Sequence, residues 1–435
     1  MIARLVLIAL LVTACEKTNH DNIDKWTHTE KGPGKLKKAV SDESLDPDLS
    51  AHAAANLIKM GKDPDVRQIF DQMGQARRQA VIAKLAPRLW EMARIEGDMQ
   101  MPRPIQVSAK DALVMLRKYS DDAEKQQVDS YLMDWYGAPS YEGRAAVGAV
   151  LGASVVRMIG APACKKLKQV TDGIIAAPGQ DKAKNRLGDE LLLGLAASGS
   201  PECVAYVLDI AKMKRGDESL PTRAMSALYK AYVDPAGLFD LVDASALGPN
   251  LPTITQIATD DTIPPAAAND AVALIRVVGM PQCLPALVSM VAHPHPDPRF
   301  KYVGANNALK CGGVKAIKEV VQALPDAPYA HDELVGAVAG EIAKMTPKDQ
   351  VVAALHELLE SKRTLDKWVA IEALAAMKIP EETARIASVK GNEKLTGYWG
   401  DQSGLDAKDR KTDPTLGQRA QELASGKPDS GKPAK

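Results

Sequence analysis

Apolar residues recur at every third or fourth position along most of this chain, which is the spacing of a helix with one buried face. In "ANDAVALIRVVG", for example, Ala271, Leu274 and Val277 have this spacing, and the segment "LPALVSMVA" shows it again. Between them stands "GMPQC", in which Gly279 fits the position just past a helix end and Pro281 fits the entry to a second helix. The pattern predicts two amphipathic helices joined by a short turn.

The same turn sequence recurs, as "GAPAC" at 160–164, as "GSPEC" at 199–203 and in weaker forms further along. Equivalent points lie 32 to 46 residues apart, at Gly160, Gly199, Val233, Gly279, Gly312, Thr346 and Lys378. Periods of this length with paired helices predict an α-solenoid, in which each pair buries its apolar face by stacking on its neighbours. The interval of 46 contains "SALGPNLPTITQIATDDTIPP", which we interpret as an insertion on one edge.

One repeat, "KWVAIEALAAMKIPEETARIAS", resembles HEAT repeats in its two helical patterns and the proline at its turn. The resemblance implies an all-α fold, a HEAT/armadillo-like superhelix of stacked helix pairs. About eight units fit between residues 35 and 395, the first boundaries being the least defined. Because HEAT units vary widely in sequence, the resemblance implies a shape and says little about activity.

The N-terminus, "MIARLVLIALLVTAC", has one basic residue, Arg4, followed by an apolar run that ends in Thr13 and Ala14 before Cys15. This run is too short to span a bilayer of about 30 Å as a helix, and it predicts a signal peptide over 1–14. The ending "LVTAC" resembles the lipobox of bacterial lipoproteins, which implies that Cys15 becomes the lipidated first residue. The alternative is an ordinary secretory signal followed by an unrelated cysteine.

Lipidation of Cys15 implies a protein anchored in the bacterial cell envelope by acyl chains and not by a helix. Glu16 stands where enterobacterial lipoproteins retained at the inner membrane have Asp, so the resemblance favours the outer membrane, on its periplasmic or its surface face. Residues 15–34 are polar and predict a flexible tether. Residues 396–435 predict a mostly disordered tail, with "TLGQRAQELA" as a possible short helix.

The charge balance and the motifs argue against several functions. Basic and acidic residues number 55 each, so the chain lacks the basic excess that nucleic acid requires. It also lacks a Gly-rich phosphate loop, an "HExxH" motif and a Gly-x-Ser-x-Gly elbow. We therefore predict no enzyme activity, no cofactor and no small-molecule substrate.

Two groups of residues suggest metal binding, and neither predicts a site. His293, His295 and Asp297 alternate with prolines, which extend the backbone and spread the side chains apart. The "HDEL" at His331 and the "HELL" at His356 resemble the iron-binding His-Glu pairs of deoxyhypusine hydroxylase, a HEAT-like enzyme family. That family uses four such pairs, and this chain has one pair and one looser match.

The four cysteines after Cys15 lie near the predicted turns, in a compartment that permits disulfides. Cys283 opens the second helix of one unit and Cys311 closes the first helix of the next, so this pair is the favoured disulfide. Cys164 and Cys203 are the less favoured pair, because equivalent positions of adjacent helices are expected roughly 8 to 10 Å apart, beyond the ~7 Å limit for a bridge. The alternative is four buried thiols.

The leading functional hypothesis is a membrane-tethered, non-catalytic interaction module or scaffold whose concave surface binds another envelope protein or peptide. The first alternative is a structural lipoprotein that acts as a spacer in the envelope. A HEAT-like enzyme is the least favoured hypothesis, since an active site needs titratable side chains that converge in one groove.

Overall fold

A computed structural model describes residues 17–96, 101–137, 141–176, 187–213, 219–237, 240–294, 298–326, 334–400, 402 and 404–426. Within these ranges the regular secondary structure is helical, and the only strand-like feature is an isolated antiparallel bridge between Lys394 and Thr415. The predicted all-α class is therefore confirmed. None of the described helices is both long enough and apolar enough to cross a membrane.

The chain divides into two compact units. The first comprises Met1–Cys203 and Ala236–Asp240, and the second comprises Val204–Pro235 and Leu241–Lys435. Described helices of the first unit are α1 (His20–Trp26), α2 (Gly32–Ser41), α3 (Pro47–Lys59), α4 (Asp63–Gln72), α5 (Gln75–Ala93), α6 (Pro104–Arg117), α7 (Asp122–Tyr136), α8 (Tyr141–Ala145), α9 (Gly152–Ile159), α10 (Ala161–Ala176) and α11 (Asp189–Ala197). The boundary between the two units falls within α12 (Pro201–Ala211).

Described helices of the second unit are α13 (Leu220–Tyr232), α14 (Leu251–Thr259), α15 (Pro265–Val278), α16 (Cys283–Ala292), α17 (Pro298–Gly312), α18 (Ile317–Ala323), α19 (Gly336–Lys344), α20 (Lys348–Leu359), α21 (Thr364–Met377), α22 (Pro380–Ser388) and α23 (Leu416–Ala424). Short 3₁₀ turns occupy Ala244–Ala246, Gly248–Asn250 and Gly313–Ala316. The segment predicted as an insertion contains α14, which packs on α15 and α16 and so acts as the second helix of its pair.

Within the second unit the helices form two rows. The first helices α13, α15, α17, α19 and α21 each contact the next in the row, and the second helices α14, α16, α18 and α20 do the same. The first helices α15, α17 and α21 also contact second helices, as α17 does with α16 and α21 with α20. This stacking of helix pairs in chain order is the α-solenoid arrangement that the repeat period predicts.

The repeated turns have the backbone that their sequence requires. Gly61, Gly160, Gly199 and Gly279 have φ angles of 71°, 78°, 66° and 78°, and Lys378 takes the same place in a later repeat with a φ of 54°. Such positive φ values strain any residue with a Cβ, which explains why Gly recurs at this position. The prediction that the pentapeptide is the turn within a repeat is confirmed.

The folded region is wider than the predicted range of 35–395. Within the predicted polar tether, 15–34, residues 20–26 and 32–34 are helical, and Ile23 and Trp26 of α1 are buried. At the other end, α23 lies in the predicted tail and packs on α21 and α22. Overall polarity predicts unfolded segments at both ends, whereas a few apolar residues on one face of a short helix suffice for docking.

Candidate functional site

The predicted lipidation site, Cys15, lies outside the described residues, as does the whole predicted signal peptide. The first described residue is Lys17, and helix α1 begins three residues later at His20. A lipid on Cys15 therefore remains a prediction from the sequence.

The four remaining cysteines lie in two pairs. Cys164 of α10 and Cys203 of α12 have Cα atoms 5.8 Å apart, and the structure joins them as a disulfide. Cys283 at the start of α16 and Cys311 near the end of α17 are likewise joined, with Cα atoms 6.5 Å apart. Both distances lie within the usual range for a bridge.

The prediction that Cys164 and Cys203 lie too far apart for a disulfide is therefore wrong. The estimate of roughly 8 to 10 Å describes the distance between helix axes, whereas Cα atoms lie about 2.3 Å from the axis. Two residues on facing sides of adjacent helices are closer than the axes by about twice that radius. Cys164 and Cys203 are both buried, as expected of facing positions.

A groove of about 390 Å³ lies between α7 and α10 in the first unit. These are the second helices of neighbouring pairs. The volume falls within the range of about 300 to 1,000 Å³ that is typical of ligand pockets. The groove is lined by Gln126, Asp129, Ser130, Met133, Asp134, Ile159, Pro162, Lys165, Lys166 and Gln169.

One wall of the groove is fixed by a partly buried network around Arg117 of α6. Its Nε donates to Oδ1 of Asp129 at 2.7 Å, and its Nη2 donates to Oδ2 of the same carboxylate at 3.2 Å. Nη2 also donates to the backbone carbonyl of Met158 at 3.1 Å, next to the end of α9. One guanidinium thus ties three helices together, and its two bonds to Asp129 define the position of that side chain.

The opposite wall is formed by Lys166 of α10. Its Nζ lies 3.3 Å from Oδ1 of Asp134, and its aliphatic chain crosses the end of α7 at Gly137. A Cβ atom at Gly137 would lie 2.3 Å from Cε of Lys166, so any other residue there would displace the end of this side chain. The groove therefore has a charged pair at its margin and an apolar floor made by Met133, Ile159 and the Lys166 chain.

The rest of the margin is polar and exposed, formed by Gln126, Ser130, Lys165 and Gln169. Amide and hydroxyl groups both donate and accept hydrogen bonds, so they suit a peptide backbone. A mixed-charge rim around an apolar floor is the composition of a transient protein interface and differs from a nucleic-acid surface, which is basic.

A smaller cavity of about 170 Å³ lies in the second unit beside the buried ring of Trp368. At its rim, Nε of Arg363 donates to Oδ1 of Asp326 at 2.8 Å. This volume is below the range of ligand pockets. It is lined by Leu324, Pro325, Asp326, Leu334, Val335, Thr364, Leu365, Trp368, Lys394, Leu395 and Thr396.

The residues considered for metal binding are only partly described. His295, Asp297 and His331 lie outside the described ranges. His356 forms a 2.8 Å contact from its Nε2 to Glu382 of α22, and not to its sequence neighbour Glu357. Within the described ranges, no group of three or more His, Cys, Asp or Glu residues is placed to hold a metal ion.

Sequence comparison places the chain in no family, because no protein-family model and no curated protein matches it. Among solved structures it is similar to human deoxyhypusine hydroxylase in complex with glycerol, with 14% identity over 68% of this chain and 97% of that one. The TM-score is 0.23. At that level the likeness carries no argument about the activity of this chain.

Proposed function

We propose that this protein is a non-catalytic interaction module of the bacterial cell envelope, anchored through Cys15, whose groove between α7 and α10 binds a peptide segment of another envelope protein. The groove is the observation that carries the proposal. It combines a volume suited to a ligand, an apolar floor and exposed amide groups in one place.

The chemistry of the groove indicates the kind of segment that it accepts. Lys165 and Lys166 stand on one side and Asp129 and Asp134 on the other, so a bound segment meets both charges. An extended peptide with one apolar side chain for the floor and a charged residue on either flank fits this pattern. The partner is therefore a polar, exposed segment and not a membrane-spanning helix.

Site-specific photocrosslinking in intact envelopes tests the proposal. A photoreactive amino acid replaces Gln126 or Gln169, which are exposed at opposite walls of the groove. The matched control is Gln68, an exposed glutamine on α4 in the same unit. We expect a discrete protein adduct from both groove positions and none of that size from Gln68.

A variant that blocks the groove provides a second test of the proposal. Ser130 is exposed on α7 at the groove margin, so Ser130→Trp fills the space without entering the core. The variant should keep the melting temperature of the wild-type protein and lose the adducts formed from Gln126 and Gln169. If the groove positions give the same adducts as Gln68, or if Ser130→Trp leaves them unchanged, the groove is not the binding surface.

A further inference from the structure

The chain just before α1 is held on the folded body. Nδ2 of Asn22, in α1, donates to the backbone carbonyl of Lys17 at 2.8 Å. The side chain of Asn19 accepts from the backbone nitrogen of Asn22 at 2.8 Å and so caps the start of the helix. Lys17 is therefore fixed to the first unit and is not part of a loose linker.

This fixed point is close in the chain to the predicted lipidation site. Cys15 precedes Lys17 by two residues, and two residues of fully extended chain span at most about 7 Å. A lipid on Cys15 would therefore hold Lys17 within about one Debye length of the bilayer surface, which is ~8 Å at physiological ionic strength. The flexible tether predicted over 15–34 would instead leave the position of the body undefined.

Helix α2 carries a stripe of lysines. Lys31, directly before the helix, and Lys35 and Lys38 within it are exposed and have the spacing i, i+4, i+7, which places them on one side of the helix. The helix packs on the body with a different side, which includes Leu36 and Val40. From residue 31 to residue 41 the chain has four lysines and no acidic residue.

The lysine stripe, defined as Lys31, Lys35 and Lys38, lies beside α1. The two helices pack together, and Nζ of Lys35 is 5.4 Å from the centre of the ring of Trp26, the last residue of α1. A helix of seven residues is only about 10 Å long, so the stripe lies near the same end of the body as Lys17.

Acidic residues flank the stripe without entering it. Glu30 precedes it and Asp42 follows it, and the carboxylate of Asp42 accepts hydrogen bonds from the backbone nitrogen and the hydroxyl of Ser44 at 3.0 and 2.6 Å. The fourth lysine of α2, Lys37, lies outside the stripe and pairs with Asp65 of α4 at 2.8 Å. The stripe is therefore a positively charged surface on a chain whose net charge is zero.

We propose that the lysine stripe of α2 lies on the bilayer and binds anionic phospholipid headgroups next to the acyl anchor. Lysines close to an anionic membrane surface are attracted to it, and this attraction adds to that of the acyl chains. The inference rests on the anchoring through Cys15 that the proposed function includes, and it adds which surface of the body faces the membrane.

Photocrosslinking to lipid tests the proposal. The full mature protein is reconstituted in vesicles of phosphatidylcholine alone and of phosphatidylcholine mixed with phosphatidylglycerol. A photoreactive amino acid replaces Gly34, which is exposed on α2 and has open space at the position of a Cβ. The matched control is Gly173, an exposed and equally open glycine of α10 in the first unit. We expect a phosphatidylglycerol adduct from Gly34 in the mixed vesicles, identified by its mass, and none from Gly173.

Removing the positive charge of the stripe should lower the yield of this adduct. We expect the triple substitution Lys31→Gln, Lys35→Gln and Lys38→Gln to reduce it at least about fivefold. A second triple substitution removes the same charge from exposed lysines elsewhere in the first unit and should leave the yield unchanged: Lys62→Gln, Lys118→Gln and Lys165→Gln. Because all six side chains are exposed, both variants should keep the wild-type melting temperature.

Mass spectrometry of the N-terminal peptide in the same samples separates the possible failures. If Cys15 is acylated but Gly34 gives no phosphatidylglycerol adduct, or if both triple variants give the wild-type yield, the stripe does not bind the membrane and the anchor stands. If Cys15 carries no lipid, the proposed anchoring is wrong and the inference falls with it.

Discussion

Arg419 of α23 forms a buried two-point ion pair with Glu372 of α21, 47 residues earlier in the chain. Nε of the guanidinium donates to Oε1 at 2.7 Å and Nη2 donates to Oε2 at 3.1 Å, and both side chains are less than a tenth exposed. Nε1 of Trp368 donates to Oε1 of the same carboxylate at 3.2 Å. Helix α23 is therefore held on the last helix pair by a specific contact as well as by its apolar face.

Replacing the arginine should destabilise the protein strongly. Arg419→Ala leaves Glu372 buried without its cationic partner, and breaking one partner of such a pair costs about 3 to 5 kcal/mol. Urea unfolding measures the loss. Arg410→Ala serves as the control, because Arg410 is exposed in the same segment and should change stability by less than about 0.5 kcal/mol. Equal effects of the two substitutions would show that the buried pair contributes nothing.

Removing the C-terminal segment gives a related but separate test. Deletion of 401–435 removes α23, with its buried Leu416 and Ala420, and uncovers α21 and α22. We expect the melting temperature to fall by more than about 5 °C. Deletion of 427–435 alone retains every described contact of α23 and should leave the melting temperature nearly unchanged. A truncation at 401 that melts like the full chain would mean that α23 caps nothing.

How the tail folds could not be predicted from the sequence, although the helix itself could. The spacing in "TLGQRAQELA" and the cap at Thr415, whose side chain accepts from the backbone of Gln418, are local features. Arg419 pairs with Glu372, a residue 47 positions earlier in the chain. Taken alone, the local sequence around each of them predicts a charged side chain on the exposed face of a helix. No local pattern in the sequence therefore predicts that α23 docks on α21.

Other short-range features of the fold also follow from the sequence, whereas its long-range contacts do not. Helical spacing and the Gly turns are short-range signals, and they correctly indicated the stacked helix pairs and the positive φ values. The groove draws on Ser130 and Gln169, and the ring of His20 contacts that of His52, in each case residues more than thirty positions apart. A repeat period predicts that helices stack but not which of their side chains meet.

The two disulfides should be present in protein taken directly from the envelope. Peptide mapping without reduction is expected to recover Cys164 joined to Cys203 and Cys283 joined to Cys311. Replacing both Cys283 and Cys311 by serine opens a loop of 28 residues and should cost on the order of 3 kcal/mol, because the unfolded chain gains freedom. Free thiols at these positions in freshly isolated material would falsify the prediction.

Alkaline pH should destabilise the first unit through Tyr119. Burial and a 2.7 Å hydrogen bond to Asp71 raise the pKa of Tyr119 to about 12. A pKa raised in the folded state means that the folded protein holds this proton more tightly. The stability it contributes is therefore complete below the ordinary pKa of about 10 and is lost as the pH rises toward 12.

Tyr119→Phe removes this titration, so its stability should change less than that of the wild-type protein between pH 10 and 12. The difference between the phenolate absorbance of the two proteins should show one tyrosine that ionises near pH 12. A difference curve centred near pH 10 would mean that the contact with Asp71 is absent in solution.

The anchor is tested at Cys15. If this residue carries the lipid, Cys15→Ser should abolish acylation and leave a protein that no longer partitions into the detergent phase, because stable attachment requires at least two acyl chains or an equivalent second signal. Phase partitioning of the wild-type protein and the variant measures the change, and mass spectrometry of the N-terminal peptide identifies the modification. Thr13→Ser is the matched control, since it keeps a small residue before the cysteine and should leave processing intact. A Cys15→Ser protein that still enters the detergent phase would place the membrane attachment elsewhere in the chain.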